Sequence, residues 1–183
     1  MTTTISFVGA KGGAGTSTVA AATALFASQE QRVQLEAEDW REMAALLGVS
    51  GGTQPVAPNL WLGPLGTMRH DVDALTIRDL GVLDSHPDTT YRGDTYIVLR
   101  GPDYLGLRRA VESLPNIATP KGLVVVAEKD RSLSASDVEA ALMNVPVVAA
   151  VPVDALVART IDAGLLTCSM HKLRQFEALR ALA

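Results

Sequence analysis

The segment "TISFVGAKGGAGTSTVAAATALFASQ" (4–29) restricts the fold more than any other part of this 183-residue chain. A short apolar run, 4–10, reads as a buried strand. Three glycines follow, Gly12, Gly13 and Gly15. After them comes a helical run, 17–29, with Val19, Ala22 and Phe26 on one face. Glycines at this spacing let the backbone curl with its N–H groups pointing inward, and the next helix adds the partial positive charge of its N-terminus. A strand, a glycine-rich turn and a helix in direct succession therefore predict a phosphate-binding loop over 9–18.

The rest of the chain repeats the alternation of strand and helix. Strands are expected at 32–38, 59–66, 74–81, 95–101, 121–128 and 145–152. Helices are expected at 40–49, 102–114, 134–145 and 154–164. The stretch 50–58 reads as a Gly/Pro-rich loop. Ser136 and Glu139 are spaced as a capping box for the helix that carries Val138, Ala141, Leu142 and Val145. Alternating strands and helices imply an α/β, doubly wound, mainly parallel seven-stranded sheet with helices on both faces, of the P-loop NTPase kind. Continuously apolar strands agree, since such strands are buried on both sides. One domain, 1–183, is expected, ending in a helix at about 169–183. Ligands in such sheets sit beyond the carboxyl ends of the strands, where the glycines lie.

The loop departs from the usual pattern. Gly15 is followed by Thr16, where a P-loop carries its phosphate-pairing lysine. Ser17 stands where a Mg²⁺-binding hydroxyl belongs. Lys11 is the only positive charge within the loop.

"GAKGGAGTST" resembles the deviant P-loop of the MinD/ParA ATPases, KGGxGK[ST], with Lys11 matching the extra lysine at its start. The resemblance continues in chain order. "VQLEAED" is similar to the second-strand segment that carries Asp-x-Asp, with Glu36 and Glu38 in place of the aspartates. "LTIRDLG" is similar to the Walker B strand, with Asp79 as its acid. "GDTYIVLRGPDYLGLRRAV" resembles the next strand and helix. "VPVVAAVPVDALVARTIDAGLL" resembles the closing strand, its Pro-x-Asp turn and the helix after it. Within the family, the CpaE/TadZ branch, linked to pilus assembly and polar localisation, looks most alike. Several of its members also lack the loop lysine.

The resemblance implies ATP and Mg²⁺ as cofactors and a homodimer in which Lys11 reaches the partner's nucleotide. It implies Lys11, Glu38 and Asp79 as catalytic residues. It implies Gly12, Gly13, Ala14, Gly15, Thr16, Ser17, Thr18, Pro152 and Asp154 as nucleotide-binding residues, and Ser17, Glu36 and Asp79 as metal ligands. The implied role is an ATP-dependent dimerisation switch in spatial positioning (pilus assembly, septum placement or partition), acting on a protein partner. A pseudo-ATPase scaffold working through constitutive surfaces is the alternative.

Four departures cluster at this site. Thr16 replaces the lysine. Glu36 and Glu38 are each one methylene longer than aspartate. Arg78 precedes Asp79 where an apolar residue is usual. "AEKDR" stands where the family often places an asparagine beside adenine. Phosphoryl transfer depends on positioned charge, so weak or absent hydrolysis is expected.

Other signals are weaker. Net charge is −4, so no strong nucleic-acid electrostatics are expected. The single cysteine, Cys168, fits a reducing compartment and a cytoplasmic protein. The N-terminus has no signal-peptide pattern, and no apolar run is long enough to span a membrane. Gly13-x-Gly15 with Glu36 downstream imitates a dinucleotide fingerprint, but Thr18 stands at the third glycine position. "GVSGG" (48–52) matches a nucleophile elbow without its strand and helix. Cys168 and His171 are too few for zinc, and His70 and His86 show no matching spacing. Adjacent residues in "DSH" (84–86) cannot form a triad. In the C-terminal segment, Met170, Leu173, Phe176, Leu179 and Leu182 recur every third position. On an α-helix that spacing winds around the axis, so docking on the domain or a partner is favoured over a membrane face for Lys172, Arg174 and Arg180.

Overall fold

A computed structural model describes residues 3–50, 54–68, 73–83, 93–101, 103–117, 120–129, 131, 133–143 and 145–183. His70, His86, the 84–86 stretch and the second half of the 48–52 match lie outside the described residues.

Among the described residues, eight strands form one sheet: β1 Thr4–Gly9, β2 Val33–Ala37, β3 Gln54–Ala57, β4 Leu60–Pro64, β5 Leu75–Val82, β6 Asp94–Arg100, β7 Pro120–Ala127 and β8 Val147–Pro152. Their order is β3-β4-β2-β5-β1-β6-β7-β8. Every pairing is parallel except β3 with β4. The extra strand is β3, in the stretch expected to be a loop. It lies at the sheet edge, where Pro55 withholds no ladder hydrogen bond from a second neighbour.

The helices are α1 Thr16–Ala27, α2 Trp40–Leu47, α3 Tyr104–Ser113, α4 Ala135–Ala141, α5 Ala155–Asp162 and the single turn α6 Leu166–Ser169. Side chains alternate across each strand, which divides the core in two. One layer joins Phe7, Leu35, Ile77 and Val124 to α1 and the C-terminal segment. The other joins Val8, Ile97, Leu99 and Leu123 to Ala110 and Val138. α1 is buried almost all round, from Val19 to Ala27. Its alanines allow the sheet on one side and the C-terminal segment on the other to approach closely.

Two local expectations change. The capping box of α4 is Ser134 with Asp137, not Ser136 with Glu139. Glu139 instead accepts the Val147 N–H at 2.6 Å, tying α4 to β8. The C-terminal segment is not an α-helix over 169–183. After α6 it continues as 3₁₀-helix, Met170–Lys172 and Arg174–Leu182. A 3₁₀-helix has three residues per turn, so every third side chain shares one face. Met170, Leu173, Phe176, Leu179 and Leu182 thus form a single buried stripe against the domain. Arg180 covers the Phe26 ring, 4.6 Å from its centroid. Among the described residues, no helix is long and apolar enough to cross a membrane.

Candidate functional site

The site begins where β1 ends. Ala14 N–H donates to the Lys11 carbonyl at 3.2 Å, and Val19 N–H donates to Gly15 at 2.9 Å, starting α1. Gly13 and Gly15 have φ of 74° and 87°, the left-handed region that side chains disfavour. The Thr16 side chain is buried. Its hydroxyl lies 2.5 Å from where a Cβ on Gly9 would stand. It packs beneath the loop and supplies no charge.

A cleft of about 660 Å³ opens above the loop. That volume lies within the usual ligand-pocket range. Residues 11–18 line it with Glu38, Asp79, Arg100 and the start of α2. Ser17 and Asp79 meet there, the hydroxyl donating to the carboxylate. Asp79 also accepts the Gly81 N–H at 3.1 Å. Burial raises the Asp79 pKa, with Glu38 and Glu42 adding to the rise, while the bonds from Ser17 and Gly81 oppose it. Glu38 folds over Gly81, whose lack of a side chain makes room: a Cβ there would stand 1.9 Å from Glu38 Oε2.

Glu36 is not with them. Ala37 and Asp79 lie in register on β2 and β5, and one residue back Glu36 faces Arg78. Strand alternation puts that second pair on the opposite face of the sheet from Asp79. Glu36 is fully buried, and its Oε2 accepts from Arg78 Nε at 3.0 Å. The two oddities noted in the sequence, a glutamate on β2 and an arginine before Asp79, are one ion pair.

Lys11 bonds to Asp103, which also caps α3 by accepting the Gly106 N–H at 2.7 Å. The lysine bond, with help from the cap, holds the Asp103 carboxyl below its usual pKa. Pro152 ends β8 and lines neither the cleft nor its neighbouring cavity. Asp154 caps α5, accepting Leu156 and Val157 N–H groups at 2.9 Å each, and binds Gln175 of the C-terminal segment. Those backbone bonds and the Gln175 amide lower its pKa.

A smaller cavity of about 180 Å³ adjoins the loop. Gly15, Thr18 and Val19 form one wall, Val126, Val151 and Val153 another, and Ile161 and Phe176 a third. Thr18 and Arg100 line both spaces. Trp40, Arg41 and Arg100 were not visible as site residues in the sequence. Only the fold carries them to the loop.

This is a parallel sheet with a glycine nest at the carboxyl end of its central strand, flanked by the acid-bearing strand β5. Solved structures with a similar fold include a ParA family ATPase from Chlorobium tepidum, with a TM-score of 0.77 and 18% identity, matched over 100% of this chain and 98% of that one. The septum site-determining protein MinD of Pyrococcus horikoshii, complexed with Mg-ADP, matches at 0.71 and 14%, over 98% and 95%. A Cyanothece McdA–ATP complex matches at 0.71 and 13%, over 98% and 95%.

The chain has the ParA/MinD fold.

No family model and no curated protein matches the sequence. The ParA/MinD fold explains why the cleft stands at the end of β1, between β5 and β6. Among the described residues no cluster of three or more His, Cys, Asp or Glu could hold a metal unaided, and Cys168 is exposed. The hard oxygen donors of Ser17 and Asp79 do suit Mg²⁺, which is usually held by one or two carboxylates together with substrate phosphates.

Proposed function

We propose that this protein binds MgATP in the 11–18 loop cleft and uses it as a dimerisation switch in spatial positioning, with weak or no hydrolysis. The observation that carries this reading is the juxtaposition of the glycine nest, the α1 N-terminus, Ser17 and Asp79 around one cleft of about 660 Å³. The backbone N–H groups would take phosphate oxygens. Ser17 and Asp79 would hold Mg²⁺, with Glu38 at its margin in the place of the second family aspartate. A bound Mg²⁺ would neutralise phosphate charge. Gly12 to Thr18 would hold the phosphates, and the valine-lined cavity beyond Thr18 would take the apolar faces of the base. Pro152 and Asp154 would support that wall indirectly, through α5.

Lys11 of each subunit would reach the other's nucleotide, and a protein partner would read the dimer. The nucleotide-bound states of the Pyrococcus MinD and Cyanothece McdA structures support this reading. Slow turnover follows from the buried Thr16, which offers no cation, and from Glu36, which is committed to Arg78. The proposed positioning role is in pilus assembly, septum placement or partition.

The buried Thr16 also favours a second reading, a scaffold whose cleft is idle and whose surfaces act constitutively. Calorimetric titration of MgATP into nucleotide-stripped protein separates the two. Saturable binding supports the switch. No heat of binding at millimolar ATP overturns it and leaves the scaffold. Lys11→Ala then tests the second step: the switch requires that ATP-dependent dimerisation disappear, whereas a scaffold would self-associate as before.

A further inference from the structure

We infer that Arg100 is the phosphate-binding cation of this cleft, taking over the charge that Thr16 cannot supply. The inference rests on the nucleotide-binding reading above.

Arg100 is the last residue of β6, and β6 lies beside β1 in register, with Val98 opposite Gly9. A residue two places beyond Val98 therefore leaves the sheet beside the loop. Its Nη1 donates to the Gly13 carbonyl at 3.4 Å, and its side chain lines both the loop cleft and the valine-lined cavity. Phosphates seated on the nest, with a base beyond Thr18, would pass this guanidinium.

Among the described residues, three cations line the cleft, and two are otherwise occupied. Lys11 is bound to Asp103, and Arg41 lies over the Trp40 ring, 4.9 Å from its centroid. Arg100 is bound too, with Nε donating to Glu128 Oε1 at 2.8 Å, but this bond can be given up while the carboxylate keeps another cation. Glu128 holds a second arginine, Arg131, whose Nε donates to Oε2 at 2.9 Å. Arg131, with Arg100 second, keeps the Glu128 carboxyl below its usual pKa. When Arg100 turns to a phosphate, Glu128 keeps Arg131 and no carboxylate is orphaned. Gly101 makes this arrangement possible: a Cβ there would stand 2.5 Å from Glu128 Oε2 and 2.9 Å from Arg131 Nε. Guanidinium forks also match phosphate geometry, and the Arg100 side chain is half-exposed at the cleft.

The test compares MgATP affinity by calorimetry in the wild type, Arg100→Gln, Arg100→Lys and Glu128→Gln. Melting temperatures confirm folding, and adenosine binding is followed by ligand-observed NMR. Arg100→Gln is expected to weaken MgATP about tenfold or more, the usual effect of losing a charge-assisted hydrogen bond, and to leave adenosine unchanged. Arg100→Lys should recover part of the affinity, and Glu128→Gln should tighten it by freeing the arginine. Equal MgATP affinity in the wild type and Arg100→Gln overturns the inference while leaving nucleotide binding intact. So does an equal loss for adenosine, which would make Arg100 a structural residue. No MgATP binding in the wild type overturns the nucleotide reading itself, and this inference with it.

Discussion

Arg78 stands directly opposite Glu36 on adjacent parallel strands, its Nε 3.0 Å from Oε2, and the carboxylate is fully buried. The second oxygen, Oε1, has no hydrogen-bond partner among the described residues. Such a pair gains little over apolar residues of similar size, but breaking it strands a charge. Arg78→Ala is therefore expected to cost about 3–5 kcal/mol, measured by urea unfolding. The double variant Glu36→Leu/Arg78→Met should recover most of that loss. If Arg78→Ala were as stable as wild type, the pair would have no role in the fold.

A second ion pair bears on function. Asp103 holds Lys11 within its own chain. Under the proposed switch, Lys11 must leave Asp103 to reach a partner's nucleotide. Asp103→Asn keeps a capping side chain on α3 and removes the charge. Both side chains are about one-quarter exposed, at 28% and 25%, so the expected stability loss is small, about 0–1 kcal/mol. The pKa of Asp103 is lowered in the fold, so the pair's stabilisation is present above the unfolded-state pKa and is lost as pH falls through the native value. Sedimentation velocity with MgATP should show more dimer for Asp103→Asn than for wild type. Less dimer would mean that Asp103 assists the assembled state.

Asp79 presents the opposite case. Burial raises its pKa, so the native state holds this proton to higher pH than the unfolded chain does. Stability conferred by the protonated form is lost as pH rises from the unfolded-state value through the raised native one. Asp79→Asn should melt at a higher temperature than wild type at neutral pH, yet show no Mg²⁺ dependence of ATP binding. A lower melting temperature would mean that its bonds to Ser17 and Gly81 outweigh burial.

The C-terminal stripe is tested at Phe176, which is fully buried and also lines the cavity beside Gly15 and Thr18. Phe176→Ala is expected to cost about 3–5 kcal/mol in chemical denaturation. Removing only Arg180, an exposed side chain over the buried Phe26 ring, should cost less than about 1 kcal/mol. Equal losses would show that the segment is held by its rim and not by its core.

The sequence by itself determined the strand–glycine–helix order, the parallel sheet and the place of the cleft. Each of these rests on short-range patterns: an apolar run, a glycine spacing, a helical period. It also marked Lys11, Ser17 and Asp79, which the fold brings to one cleft. Tertiary structure decided the rest. Glu36 and Arg78 are 42 residues apart, and Arg100 and Gly13 are 87 apart. Neither proximity can be read from local pattern, because strand order and register create it. The three-residue repeat of the C-terminal segment was plainly visible. Its meaning depended on whether the backbone would wind at 3.6 or 3.0 residues per turn. An apolar stripe facing α1 and β8 makes the tighter winding worthwhile, because only that winding puts Leu173, Phe176, Leu179 and Leu182 on one side.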